Sequence, residues 1–255
     1  MSQSPDPPNA EIRPLVEIMA RLRDPQNGCP WDVQQDFKSV APYTIEEAYE
    51  VADACARDDM AALKDELGDL LLQVVFHARM AEERNAFSLN DVITSICDKM
   101  VRRHPHVFGP EGSKADWEGI KASERRESAD DRSAVAGIAL ALPALMRAEK
   151  LQKRAARTGF DWPDLSGARK KIDEELAELE AANTNDARED EMGDILFSVV
   201  NLARKMDIDP EVALRRANAK FEHRFRAVEL TGGEGFSSMQ LDEMEALWQA
   251  AKLTK

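Results

Sequence analysis

Cysteine is scarce in this sequence. Cys29, Cys55 and Cys97 make an odd set with no Cys-x-x-Cys spacing, beside only four scattered histidines. A structural zinc site is thereby disfavoured, and the cysteines read as reduced, mostly buried, small apolar residues. Aromatic residues are 6% of the chain and β-branched runs are few. Ala, Leu, Glu, Lys and Arg dominate instead, a composition that leans towards helix. No segment approaches the roughly 18 apolar residues needed to span a bilayer. Residues 1–8, polar and rich in proline, lack the basic-then-apolar order of a signal peptide, so a cytoplasmic protein is expected. Positive charge also falls short: 34 Lys and Arg against 48 Asp and Glu give a net charge of −14. Such a chain repels polyanions, which argues against direct DNA or RNA binding. A single anionic ligand remains possible where metal ions or a local basic patch mediate.

What is present is a core's worth of apolar residues, 43% of 255, enough for one or two domains. Residues 1–10 read as a disordered tail. Ile12, Leu15, Val16, Met19 and Leu22 follow helical spacing up to Asp24-Pro25. Thr44 with Glu47 three residues on predicts a capping box. Long helices are expected over about 60–84 and 89–103. Residues 109–135, charged and rich in Gly and Ser, read as a linker. From Leu140 the helical pattern resumes, with breaks near 159–167, 183–186, 207–210 and 231–236.

The most informative feature is an internal repeat. Residues 64–79 lie over 189–204 without a gap, so that Glu66-Leu67-Gly68-Asp69 matches Glu191-Met192-Gly193-Asp194. Upstream, the segment 46–50 matches 174–178, and Trp31 after Gly28 matches Trp162 after Gly159. Residues three apart on a helix lie about 60° apart on one face. Glu47 with Glu50, Glu66 with Asp69, Glu175 with Glu178, and Glu191 with Asp194 therefore form four pairs. Helix–turn–helix packing would join them into two quartets.

Glu191 and Asp194 are expected at the edge of a core-facing stripe, Met192, Ile195, Leu196, Val199 and Ala203. Like charges at a core boundary call for a counter-charge. Carboxylates without histidine suit a hard cation, Mg²⁺ or Mn²⁺. Gly68 and Gly193, costly inside helices, suggest close approach of another helix or a ligand. Arg216, Lys220 and Arg224 share a helix face and suit a triphosphate clamp beside such a cluster. Trp31, Trp117 and Trp162 read as packing residues; Trp248 reads as a base platform or as a buried anchor of the last helix. A ferritin-like di-metal oxidase would want Glu-x-x-His, which neither half contains. A non-catalytic nucleotide-binding regulator and an acidic helical scaffold remain as rivals.

Several motifs together resemble the MazG family of nucleoside triphosphate pyrophosphohydrolases. They are Asn27-Gly28-Cys29-Pro30-Trp31-Asp32, Thr44-Ile45-Glu46-Glu47, Glu66-Leu67-Gly68-Asp69, Arg102-Arg103-His104-Pro105-His106, Gly159-Phe160-Asp161-Trp162 and Lys220-Phe221-Glu222-His223-Arg224. The resemblance runs from about residue 11 to 253. It implies an all-α fold of two tandem, four-helix-bundle-like modules (11–108 and 136–255), assembled as a homodimer. It implies Mg²⁺-dependent cleavage of a nucleoside triphosphate between the α and β phosphates. By motif position it puts Glu175, Glu178, Glu191 and Asp194 on metal, with Glu47, Glu50, Glu66 and Asp69 as their counterparts in the first half. Lys171, Glu174, Lys220, Arg224 and Trp248 would contact the nucleotide, as Asp194 would through its metal. Glu174 and Glu175 are the catalytic candidates, Glu174 as the group that orients or deprotonates water. A lysine the family can carry before Glu191 is absent here; Ala187 takes its place beside Arg188.

Overall fold

A computed structural model of the chain describes residues 11–110 and 133–253, with residues 117, 119, 120, 123, 124 and 131 between. The tail expected over 1–10 and much of the expected linker lie outside the described residues. Every regular element described is helical. The chain divides into two compact units, with the boundary between residues 121 and 122.

In the first unit, α1 (Arg13–Leu22) stops at the Asp24-Pro25 break, and the short α2 (Pro30–Gln34) starts on a proline at its first position. The helix expected to start at Thr44 begins seven residues earlier: α3 spans Phe37–Arg57. Asp36 and Ser39 form the capping box, with the Asp36 carboxylate accepting from the Lys38 and Ser39 amides at 2.8 Å. That cap outcompetes Thr44, and Pro42 is carried inside the helix. Thr44 itself lies 3.0 Å from His77 Nε2. Asp58 ends α3 in the left-handed region (φ 55°), and Asp59 caps α4 (Met60–Glu83). After α5 (Leu89–Arg103), the His104-Pro105 break starts a single further turn, α6 (Pro105–Phe108). Helices α3 and α4 pack along their length, with α1 laid on α4. The core between them is Met19, Val40, Val75, Phe76 and Met80.

The second unit repeats the plan. It comprises α7 (Ala144–Ala156), α8 (Leu165–Ala181), α9 (Asn185–Lys205), α10 (Pro210–Gly232), a 3₁₀ turn (Gly233–Ser238) and α11 (Leu241–Leu253). Asp164, Thr184 and Asp209 cap α8, α9 and α10 through their side chains. Helices α8 and α9 pair as α3 and α4 do, and α7 crosses α9.

Two expectations about burial are corrected. Met192, Leu196 and Val199 do not face the core; they are bare, like their counterparts Leu67, Leu71 and Val74, all six between 39% and 52% exposed. The inward face of α9 carries Glu191, Ile195, Ser198 and Asn201 instead. The apolar stripe is thus an outer face in both units, and the carboxylates point to the neighbouring helix. The cysteines also differ from expectation: Cys29 is partly exposed, and Cys55 and Cys97 are exposed.

Candidate active site

Pairing α3 with α4, and α8 with α9, brings the four carboxylate pairs together as two quartets. In the first unit, oxygens of Glu47, Glu66 and Asp69 lie within 4.8 Å of one another. Glu50 lies against both Glu47 and Glu66. Loss of water around Glu47 pushes its pKa up, with Asp69 and Glu50 adding to the effect. Desolvation, then Glu50 and Asp69, raise Glu66 in the same way. In the second unit, Glu175, Glu178 and Glu191 present oxygens within 4.8 Å of one another, and Asp194 adds its charge beside Glu191.

The second quartet is the more deeply set. Glu175 is 3% exposed. Its Oε1 receives Lys171 Nζ at 2.6 Å, and that lysine also holds Glu174 at 2.8 Å. The Lys171 hydrogen bond keeps the Glu175 pKa below its ordinary value. The paired acids, Glu174 foremost, raise the Lys171 pKa in turn. Among the described residues Glu191 has no such partner, and desolvation followed by the charges of Glu178, Glu175 and Asp194 pushes its pKa up. Glu175 and Glu191 each keep one buried oxygen, Oε2, without a hydrogen-bond donor. Unpaired acceptors on crowded anions are costly. An all-oxygen donor set of this kind fits a hard divalent cation, so the residues present suit the metal that the sequence implies.

A cavity of about 790 Å³ adjoins this quartet. Lys171, Glu175 and Asp194 line it, together with Phe160, Trp162 and Asn201. Gly159, at φ 91°, makes the turn that delivers Phe160 and Trp162. Gly167 lets the indole lie on α8, since a Cβ there would sit 2.3 Å from Trp162 Cδ1. Arg204 and Lys205 bind Asp161 at 2.7 and 3.1 Å, which drops the Asp161 pKa to about 2, chiefly through Arg204.

The first unit departs from this at two matched positions. Tyr43 stands where the second unit has Lys171, and Phe76 where it has Asn201. Trp31 packs edge-on to both rings, at 6.0 and 6.5 Å.

Other sequence-predicted residues lie apart from the quartet's contacts. Glu174 is exposed and tied to Lys171. Lys220 is exposed and Arg224 half-buried on α10; among the described residues neither makes an ion pair or hydrogen bond to the carboxylates. Trp248 rests its ring 5.2 Å from Phe221. A Cβ on Gly68 or Gly193 would meet nothing within 4 Å, so among the described residues neither glycine makes room for another helix. Sequence reasoning named Lys171, Glu175 and Asp194 but missed Phe160, Asn201 and Gln152 as cavity residues. Their signals were the Gly159-Phe160-Asp161-Trp162 turn, and an asparagine where the repeat otherwise keeps Phe76.

Two all-helical units that each gather four carboxylates, one set beside a cavity, define the class of protein by fold and site. The MazG nucleotide pyrophosphohydrolase domain matches residues 35–108 and 168–228 of this chain. Over 95% of its length, the chain is 49% identical to the nucleoside triphosphate pyrophosphohydrolase of Escherichia coli K12, covering 97% of that protein. It is 45% identical over 93% of its length to the nucleoside triphosphate pyrophosphohydrolase/pyrophosphatase MazG of Thermotoga maritima, covering 94% of that protein. The chain belongs to the MazG family. Among the described residues, no helix is long and apolar enough to cross a membrane.

Proposed function

We propose that the chain hydrolyses nucleoside triphosphates to the nucleoside monophosphate and pyrophosphate, with Mg²⁺ as the preferred ion and Mn²⁺ as a substitute. The observation that carries this reading is the second quartet: Glu175 and Glu191 hold buried oxygens without a donor among the described residues, and Glu175 and Asp194 line a ligand-sized cavity. The names of the E. coli and T. maritima relatives support it.

Glu175, Glu178, Glu191 and Asp194 would hold the metal. Glu47, Glu50, Glu66 and Asp69 are the equivalent set in the first unit. The ion, when bound, lowers the pKa of a coordinated water and offsets charge on the phosphate oxygens. Lys171 orients Glu175 and keeps it ionised. Glu174, released from Lys171, would take a proton from the attacking water, whose oxygen bonds to the α-phosphorus as the α–β bridge breaks. Lys220 and Arg224 would meet the departing pyrophosphate, and Trp248 the nucleotide. Ser/Gly-rich, charged residues 109–135 join modules 11–108 and 136–255.

The bare stripes on α4 and α9 support a homodimer. Exposed leucine, methionine and valine repeated at the same positions of both units are costly unless covered. The reading is of a cytoplasmic enzyme whose partners are the triphosphate and a second copy, not a membrane or nucleic acid.

The test is product analysis. With Mg²⁺, wild-type protein should convert a triphosphate to equal amounts of monophosphate and pyrophosphate. Release of orthophosphate and diphosphate would refute the assigned bond. Saturable binding without products would favour the regulatory nucleotide-binding alternative.

A further inference from the structure

The cavity beside the second quartet has a polarity that its neighbours fix. Asn201, 8% exposed, lines it from α9. Arg204 Nε donates to Asn201 Oδ1 at 3.1 Å, and Arg204 is itself clamped by both oxygens of Asp161, at 2.7 and 3.1 Å. A guanidinium can only donate, so the oxygen of the amide must face Arg204 and the Nδ2 group must face away. Nδ2 is therefore a fixed donor with no protein acceptor among the described residues. Gln152, 6% exposed, also lines the cavity; its Nε2 donates to the Phe197 carbonyl at 2.8 Å, which leaves Oε1 buried without a donor. The rest of the wall mixes apolar and aromatic side chains, Phe160 and Trp162 among them, with Ser198 and the charged residues already described.

Spacing along α9 sets the scale. Asn201 is seven residues beyond Asp194, about 10.5 Å along the axis and almost on the same face. A nucleotide whose phosphates meet the carboxylates would carry its ribose and base in that direction. Asn201 would then meet the far edge of the ring, where the exocyclic group sits.

We propose that this cavity holds the nucleobase and that Asn201 is a specificity-determining residue, donating from Nδ2 to an exocyclic carbonyl oxygen, so that oxo bases are preferred to amino bases. The proposal rests on the triphosphate reading of the quartet. An oxo base such as hypoxanthine or uracil presents C=O to Asn201 and an adjacent ring N–H that Gln152 Oε1 can accept. Adenine or cytosine presents N–H₂ to a donor and a bare ring nitrogen to an acceptor, two mismatches at once. Phe76 at the matched position of the first unit offers no such donor.

The experiment compares near-isosteric pairs, inosine with adenosine triphosphate and uridine with cytidine triphosphate. Wild-type kcat/KM should favour the oxo member by about tenfold, mainly through KM, because the contact is remote from the reacting bond. Asn201→Asp keeps one oxygen on Arg204 and turns the other into an acceptor, so each base then meets one match and one mismatch and the preference should collapse to near one. Asn201→Leu removes the donor but leaves the Gln152 acceptor, so both ratios should fall and stay above one. Equal kcat/KM within each pair for the wild type, or an undiminished preference in Asn201→Asp, would overturn the proposal while leaving hydrolysis intact. Titration of wild-type and Asn201→Asp protein with inosine and adenosine monophosphate reads the same preference without turnover. A preference there, with no triphosphate hydrolysed, would uphold the base pocket and refute the hydrolase reading. No preference there would refute Asn201 as the reader.

Discussion

Glu175→Gln should lower triphosphate turnover by about a hundredfold or more, the scale seen when one preorganised charge partner of a transition state is lost. Glu175 is the most buried member of its quartet, one oxygen held by Lys171 and the other left for the ion. Glutamine keeps the shape but replaces that oxygen's charge with a neutral amide. Glu47→Gln makes the matching change in the first unit and should cost far less. There Tyr43 replaces the lysine, and Phe76 replaces the cavity's asparagine. The measurement is initial-rate pyrophosphate release at saturating Mg²⁺, with circular dichroism to confirm folding. Equal losses would mean that both units turn over substrate; no loss in Glu175→Gln would remove it from the chemistry.

The largest stability effect is expected at Arg23. Its guanidinium is 8% exposed and grips Glu83 twice, at 3.0 and 2.7 Å, and it donates to the Asp32 and Gln35 carbonyls while lying over the Phe76 ring. One side chain thus ties the end of α1 to α2 and to the end of α4. Arg23→Ala strands a half-buried carboxylate and two carbonyls, and should destabilise the first unit by about 3 kcal/mol, lowering its Tm by roughly 10 °C. The pair also gives the first unit an acid limit. The Arg23 hydrogen bond, and Arg79 beside it at 3.0 Å, hold the Glu83 pKa below its usual 4.5. A lowered folded pKa means the contribution is complete above the ordinary value and is lost as pH falls through the folded value. Glu83→Gln should therefore flatten the acid side of the first unit's stability curve. An unchanged Tm in Arg23→Ala would contradict this reading of the clamp.

Much of this was legible in the sequence, for physical reasons. Helix punctuation is local chemistry, so Asp24-Pro25, Asp58-Asp59 and Asp209-Pro210 announce themselves. The quartets were legible because the repeat states each pair twice, and helical geometry puts residues three apart on one face. Thr44 misled because the cap that forms, Asp36 with Ser39, lies eight residues upstream, and the helix it starts carries Pro42 inside. The stripe Met192, Leu196, Val199 misled for a deeper reason. Periodicity reports that a face is apolar, not which surface covers it; here the inward face of α9 mixes Ile195 and Val200 with Glu191, Ser198 and Asn201. The cavity was illegible because it depends on a tertiary chain from Asp161 through Arg204 to Asn201, 43 residues apart at its first link. The repeat held a hint, since asparagine for phenylalanine is an abrupt change at a matched helical position.

Direct titration with Mn²⁺, followed by its electron paramagnetic resonance signal, tests whether these carboxylates serve a cation at all. Wild-type protein should bind Mn²⁺ saturably, more tightly with a non-hydrolysable triphosphate analogue present. The doubly substituted Glu175→Gln, Glu191→Gln protein, folded by circular dichroism, should lose the sites that the analogue tightens. Identical titrations for the two proteins, with and without the analogue, would contradict the account.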